Sequence, residues 1–192
     1  AEAYRFIEEI DKQIELYSEL AENQGATDWQ AWYAYNELGA ISYVWKEEYN
    51  EARQYWEQAL LRRKTRGVLQ NLAVVEEDSE NWNNANKYYE SAAKIIEDYK
   101  KAKLLITLGY QEASLLSNWG NMLRLQYESG EEDESILINA EAKLKLAIKA
   151  YPAYLDAHWN LANVFVTRRK YPDAIASLRS TLRIIREIKE KD

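Results

Sequence analysis

Amide side chains recur at matched positions along the chain. Asn118 stands three residues before Asn121, and Asn160 stands three residues before Asn163, so each pair shares one face of a predicted helix. An amide carries both donors and an acceptor, and it can therefore pair with a peptide backbone whatever the sequence of that peptide. These residues indicate binding of an extended peptide. The alternative is that the amides only solvate a surface or bond to neighbouring helices.

Residue types that catalysis or metal binding would need are scarce or badly spaced. His158 is the only histidine and falls on an apolar helical stripe, so we expect it to be a packed, hydrogen-bonded core residue. Cysteine is absent, which excludes disulfides and cysteine-ligated zinc. The acidic residues 131–134 lack the alternating ligand spacing of an EF-hand loop, which favours a solvated loop over a calcium site. The sequence predicts no catalytic residue, no cofactor and no metal.

Composition restricts the kinds of partner. The 192 residues carry a net charge of −7, which disfavours a nucleic-acid partner and favours a neutral to basic peptide. No run of eighteen apolar residues exists, so membrane insertion is not expected. The compartment stays open, with a soluble, cytoplasmic protein favoured. Because Ala1 is not an initiator methionine, we expect the chain to be processed or cut from a longer protein.

The elements that position these residues are predicted helices folded back on each other in pairs. The clearest pair runs from Leu155 to Thr181, where apolar residues recur at steps of three and four. Pro172 suits the first turn of its second helix, since the missing N–H has no intrahelical partner there. We expect Ala162 and Ala174 to face each other across the turn, because small side chains let two helices approach closely.

The same pattern of small and large residues recurs in three earlier stretches of the chain. Ala140 and Ala174 are 34 residues apart, the period of tetratricopeptide units. With the fragments Glu37-Leu38-Gly39 and AHWNLAN at residues 157–163, the chain resembles tetratricopeptide-repeat (TPR) proteins from Trp32 to about Thr181. The resemblance implies an all-α, right-handed superhelical solenoid of antiparallel helix pairs. A non-repeating helical bundle is the alternative.

This interpretation predicts one TPR-like domain over residues 1–192. Its repeats are predicted at residues 32–64, 66–99, 113–152 and 155–188. Residues 1–22 form a further helix, either an N-terminal cap or the second helix of a partial preceding repeat. Between the second and third repeats we expect one long helix from about Lys101 to Glu128, in which Gly109 marks a bend or a boundary between two helices.

In TPR proteins the first helices line the concave side, and the residue before the large anchor points into the groove. The resemblance therefore implies a groove lined by Asn71, Ser114, Asn118, Asn121, Arg124, Trp159, Asn160 and Asn163. Trp159 is the best anchor because tryptophan is enriched at binding hot spots, and helix–helix packing is its alternative role. The positions that grip chaperone C-termini match only at Asn71, which disfavours that ligand.

The predicted function is a non-catalytic protein–protein interaction scaffold that binds an extended peptide or protein segment in its concave groove. An alternative comes from the apolar residues Leu182, Ile185 and Ile188, which continue past the last repeat with no helix left to cover them. They would suit a structural assembly subunit, a homo-oligomer formed through exposed terminal helices.

Overall fold

The computed structural model describes residues 2–103, 108–131 and 133–190, with the side chains of residues 2–7 left aside. These residues form helices and turns without a strand. In chain order the helices are α1 (Glu2–Glu22), α2 (Asp28–Val44), α3 (Tyr49–Arg62), α4 (Arg66–Asp78), α5 (Trp82–Lys101), α6 (Leu108–Glu128), α7 (Glu134–Ala150), α8 (Leu155–Thr167) and α9 (Tyr171–Lys189).

The chain divides into two compact units. Unit 1 is Ala1–Ser79 and contains α1 to α4, whereas unit 2 is Glu80–Asp192 and contains α5 to α9. In unit 1, α2 packs against α1 and α3, and α3 packs against α4. In unit 2, α6 lies against α5, α7 and α8, and α8 lies against α7 and α9. Within each unit, consecutive helices therefore pack side by side, as paired helical repeats require.

Small residues lie where paired helices cross. In the α2–α3 pair, a Cβ on Gly39 would stand 2.6 Å from Nε1 of the buried Trp56 ring. That indole also donates a hydrogen bond to the carbonyl of Asn36 at 3.1 Å. In the α6–α7 pair, a Cβ on Gly120 would meet Leu144 at 2.6 Å. Each hairpin thus depends on a missing side chain opposite a large one.

The hairpin predicted around Ala162 and Ala174 is present in the structure. Both residues are buried, and the helices that carry them, α8 and α9, pack together. Pro172 lies in the first turn of α9, as its missing N–H predicted.

The long helix expected from Lys101 to Glu128 is wrong. α5 ends at Lys101, and Lys103 adopts a left-handed backbone with φ 53°, which breaks the helix. Part of the expected helix, residues 104–107, lies outside the described residues. α6 begins at Leu108, and a Cβ on Gly109 would approach the Ala150 carbonyl oxygen to 2.6 Å. Gly109 is therefore at the boundary of two helices, the second interpretation of that position, and allows the close approach of α7.

Candidate functional site

Unit 2 carries seven of the eight residues predicted to line a groove, all on α6 and α8. We call this set the amide face; it consists of Ser114, Asn118, Asn121, Arg124, Trp159, Asn160 and Asn163. The eighth residue, Asn71, is half-buried on α4 in unit 1. The structure therefore places the amides of two successive first helices side by side within one unit.

Polar side chains connect α6 to the α8 segment at three levels. Ser114 shares a hydrogen bond with Tyr154, the residue that caps α8, and burial raises the pKa of that tyrosine. The side-chain amide of Asn160 donates to the Ser117 hydroxyl at 3.1 Å. Thr167 donates to Glu128 at 2.8 Å. Because the sequence separation stays between 39 and 43 residues, α6 and α8 run alongside each other in the same direction.

The asparagine side chains of the amide face differ in whether they already form hydrogen bonds within the protein. Asn160 is partly structural, since its NH₂ group bonds to the fully buried Ser117. The Asn121 oxygen accepts a hydrogen bond from Arg124 at 3.0 Å. Within the part of the chain that the structure describes, the side-chain amides of Asn118 and Asn163 have no hydrogen-bond partner, and both are half-buried. Those two amides keep their full bonding capacity.

The charge of Arg124 is compensated within the protein. Its guanidinium donates to Asn121 and forms an ion pair with the Glu128 carboxylate, which also accepts from Thr167. Its buried Nε has no partner among the described residues. With its charge paired, Arg124 positions Asn121 and Glu128 rather than offering a free cation to a ligand carboxylate. Asn121 and Glu128 stand three residues before and four residues after Arg124, a spacing that the sequence displays, whereas the contact of the distant Thr167 appears only in the structure.

Trp159 and Trp119 show two different uses of the same side chain. Trp119 is 6% exposed, donates to Asn86 at 2.8 Å and stacks on Tyr89 with ring centroids 6.1 Å apart. The ammonium of Lys143 lies 3.2 Å from the Trp119 ring centroid, and burial lowers the pKa of that lysine. Trp159 is 54% exposed instead, and it stacks on no ring of the described residues. Trp119 packs helices together, whereas much of the Trp159 indole is open to a partner.

The remaining predicted site residues lie on α9. Leu182 is 54% exposed, Ile188 is also exposed and Ile185 is half-buried. The inward position of this last stretch belongs to Ile184, which is buried. Leu182 therefore lies on the outer side of α9, whereas Ile188 comes one turn after the buried Ile184 and lies on the inward side, near the end of the helix.

His158 fulfils its predicted structural role. The ring is almost fully buried, and its Nε2 donates to the Pro152 carbonyl at 2.9 Å. Within the described residues no cluster of three or more His, Cys, Asp or Glu side chains is arranged to hold a metal ion.

Comparison with solved structures identifies the fold. MamA superposes with a TM-score of 0.68 at 14% identity, covering 98% of this chain and 95% of MamA. YrrB, a TPR protein with an unusual peptide-binding site, gives a TM-score of 0.62 at 18% identity over 95% of this chain and 81% of its own. TTC0263, a thermophilic TPR protein of Thermus thermophilus, gives 0.65 at 20% identity over 80% and 74%. No family model matches the sequence, and no curated protein matches it either.

These similarities confirm the predicted fold class. The chain has the fold of TPR proteins, an all-α solenoid of paired helices. The number of repeats, four by the sequence pattern, stays a prediction. Among the described helices, none combines the length and the apolarity that crossing a membrane requires.

Proposed function

We propose that the chain is a non-catalytic protein–protein interaction scaffold whose amide face binds an extended segment of a protein partner. The single observation that carries this proposal is the pair of unpartnered amides, Asn118 on α6 and Asn163 on α8, on helices that run side by side. An extended peptide laid along this seam would offer each amide a backbone carbonyl and N–H. YrrB, which shares the fold, has a peptide-binding site.

The amides and Trp159 are expected to contribute different amounts to the binding free energy. Each new amide hydrogen bond contributes about 0.5–1.5 kcal/mol net. Covering the exposed half of an indole removes on the order of 100 Å² of apolar surface, which contributes about 2–3 kcal/mol. A micromolar complex requires about 8 kcal/mol. Trp159 is therefore the anchor, the amides hold the backbone, and further side-chain contacts supply the remainder.

The charges favour a neutral or basic segment. The Arg124 cation on the amide face is already paired with Glu128, so it is not free to bind an acidic segment. The exposed Asp156 stands at the start of α8, three residues before Trp159. A basic side chain beside the tryptophan would meet this carboxylate and the ring face, and both attract a cation.

Selection from a random peptide library tests the proposal. Twelve-residue peptides displayed on phage are selected on the wild-type chain, and their affinities are measured by fluorescence polarisation with synthetic labelled peptides. We expect Trp159→Ala to weaken binding about 30- to 100-fold, the equivalent of the roughly 2–3 kcal/mol from the indole. The double variant Asn118→Ala/Asn163→Ala should weaken binding about 10-fold or more.

Two variants of α7 serve as matched controls. Asn139→Ala removes an exposed amide and Leu146→Ala an exposed apolar side chain, and neither residue belongs to the amide face. We expect both to bind the selected peptides as the wild type does. Selected peptides that bind the Trp159 and double-asparagine variants with unchanged affinity would contradict the proposal, as would a selection that yields no specific peptide.

A further inference from the structure

The outer side of α9 combines apolar and basic side chains. Ile175 and Leu182 are more than half exposed and lie two turns apart on this side of the helix. Three exposed cations lie on the same side of the helix by the helical period; they are Arg179, Arg186 and Lys189. Over its whole length α9 has four basic and two acidic side chains, and one of the acids, Glu187, faces Arg183 at 3.8 Å. The surface is a basic amphipathic helix face that no described residue covers.

The outer side of α1 has the opposite chemistry. Its inward residues Ile14, Tyr17 and Leu20 pack against the core of unit 1. The outward side carries a row of exposed carboxylates at steps of three and four, namely Glu8, Asp11, Glu15 and Glu19. Leu16, 64% exposed, stands beside this row. α1 contains seven acidic and two basic residues, a net charge of −5.

We propose that copies of this chain associate head to tail, with the apolar and basic side of α9 in one copy against the acidic outer side of α1 in the next. Leu16 would lie against the stripe of Ile175 and Leu182, and the carboxylates would face Arg179 and Arg186. This association is independent of the amide face, since no residue is common to the two surfaces.

Charge selects this pairing over the symmetric ones. An α9–α9 contact would oppose two basic surfaces, and an α1–α1 contact would oppose two acidic ones, so each symmetric dimer meets like-charge repulsion. A contact between different surfaces is heterologous and leaves one free end of each kind, so it continues to further copies. Because two single helix faces bury less than the roughly 1,200 Å² of lasting interfaces, assembly should require high-micromolar concentrations.

Charge reversal on each surface tests the proposal. One variant carries Glu15→Arg and Glu19→Arg on α1, and the other carries Arg179→Glu and Arg186→Glu on α9. Sedimentation velocity from about 10 to 500 μM should show the wild-type average mass rising above the 22.5 kDa monomer. Each variant alone should stay monomeric, because residues of like charge then face each other at the substituted positions of the contact. An equimolar mixture should recover the association, since both kinds of contact are again between opposite charges.

Salt and control variants complete the test. Raising the salt from 0.1 to 1 M shortens the screening length from about 10 to about 3 Å and should shift the wild type towards monomer. Glu57→Arg with Asp98→Arg, and Lys87→Glu with Lys94→Glu, make equal charge changes at exposed residues of α3 and α5, which belong to neither surface, and should assemble as the wild type does. Circular dichroism melts confirm that each variant is folded.

Three results would overturn the proposal. The first is a wild-type chain that remains monomeric throughout the concentration range. The second is an α1 variant that assembles like the wild type, which would indicate a symmetric α9 contact. The third is a mixture of the two variants that remains monomeric although both are folded.

Discussion

Units 1 and 2 each place an ion pair beside a small residue at a helix crossing, but with the charges exchanged. In unit 1, Arg53 follows the small residue Ala52 on α3, and its Nε lies 3.0 Å from Glu76 on α4. In unit 2, Glu141 follows the small residue Ala140 on α7 and pairs with Arg168 at the end of α8. Small residues at the helix crossing are common to both units, whereas the polarity of the ion pair is not.

This difference shows that the fold does not determine the sign of the charge beside a helix crossing. A hairpin needs a small side chain opposite a large one, but either sign of charge can lie beside it. The units use that freedom differently: unit 1 has sixteen acidic and eight basic residues, whereas unit 2 has sixteen acidic and seventeen basic. The resulting charges, −8 and +1, place the acidic surface of α1 and the basic surface of α9 on different units.

The ion pair of unit 1 is the more vulnerable of the two. Glu76 is 5% exposed at its side chain, and removing it in Glu76→Ala leaves the Arg53 guanidinium without its carboxylate, which should destabilise unit 1 by about 3 kcal/mol. In Glu141→Ala, Arg168 keeps its contact to Glu134 at 2.8 Å, so we expect about 1 kcal/mol. Urea midpoints followed by circular dichroism measure both. Equal losses of stability in the two variants would contradict the prediction that the ion pair of unit 1 contributes more.

Replacing the glycine at a helix crossing by alanine should destabilise both units to a similar extent. Gly39→Ala would place a Cβ 2.6 Å from the Trp56 ring, and Gly120→Ala would place one 2.6 Å from Leu144 and 3.1 Å from the Ala140 carbonyl. Each should lower the free energy of unfolding by about 1–3 kcal/mol through overpacking, which thermal melts followed by circular dichroism measure.

Gly67 provides the control for this prediction. It lies in the first turn of α4, and a Cβ there would meet nothing within 4 Å. Gly67→Ala should therefore leave the thermal midpoint unchanged or raise it, by up to about 1 kcal/mol of stability. Tolerance of alanine at Gly39 and Gly120 would refute the account of the crossings.

Alanine substitutions between α6 and α8 should distinguish amides that stabilise the fold from amides that bind a peptide. Asn160→Ala leaves the buried Ser117 hydroxyl without its partner and should cost about 1–2 kcal/mol of stability. Asn118→Ala should stay within about 0.5 kcal/mol of wild type. Adding Ser117→Ala to the Asn160 variant removes the orphaned hydroxyl and should restore part of the loss. Equal stability of the Asn118 and Asn160 single variants would show that the Ser117 bond contributes nothing.

Unit 1 has a titratable contact that should respond at alkaline pH. Tyr43 donates to Asp78 at 2.7 Å, and burial together with this bond raises the pKa of the phenol well above its usual value. The folded state favours the neutral phenol, so the contribution is complete below about pH 10 and is lost as the pH rises further. Tyr43→Phe should lose about 1 kcal/mol at pH 7.

The pH dependence of this variant supplies its check. Urea midpoints of wild type and Tyr43→Phe should converge between pH 7 and pH 11, because only the wild type has the phenol to lose. A difference between them that stays constant over this range would exclude the Tyr43 proton as its source.

Local spacing predicted the parts of the fold that local geometry decides. The helices, the small residues at the crossings and the buried His158 follow from steps of three and four residues, which a sequence displays directly. The bond of Thr167 to Glu128 and the distinction between Asn160 and Asn118 depend on partners some 40 residues away, and spacing along one helix does not show them.

The one wrong helix has a similar cause. The apolar residues Leu104, Leu105 and Leu108 fit the helical stripe of Leu115, Leu116 and Trp119, so periodicity extended the predicted helix back to Lys101. The structure shows instead a left-handed backbone at Lys103 after α5, and an approach of Ala150 on α7 to Gly109 at the start of α6. A glycine inside a predicted helix was the available signal, and its tertiary reason appears only in the structure.

Nuclear magnetic resonance of the selected peptide complex tests the central proposal most directly. Titration into ¹⁵N-labelled chain should shift the side-chain amide signals of Asn118 and Asn163 and the indole N–H of Trp159. The indole N–H of Trp119, bonded to Asn86, should stay in place. Shifts confined to other residues, with those of Asn118, Asn163 and Trp159 unchanged at saturation, would contradict peptide binding on the amide face.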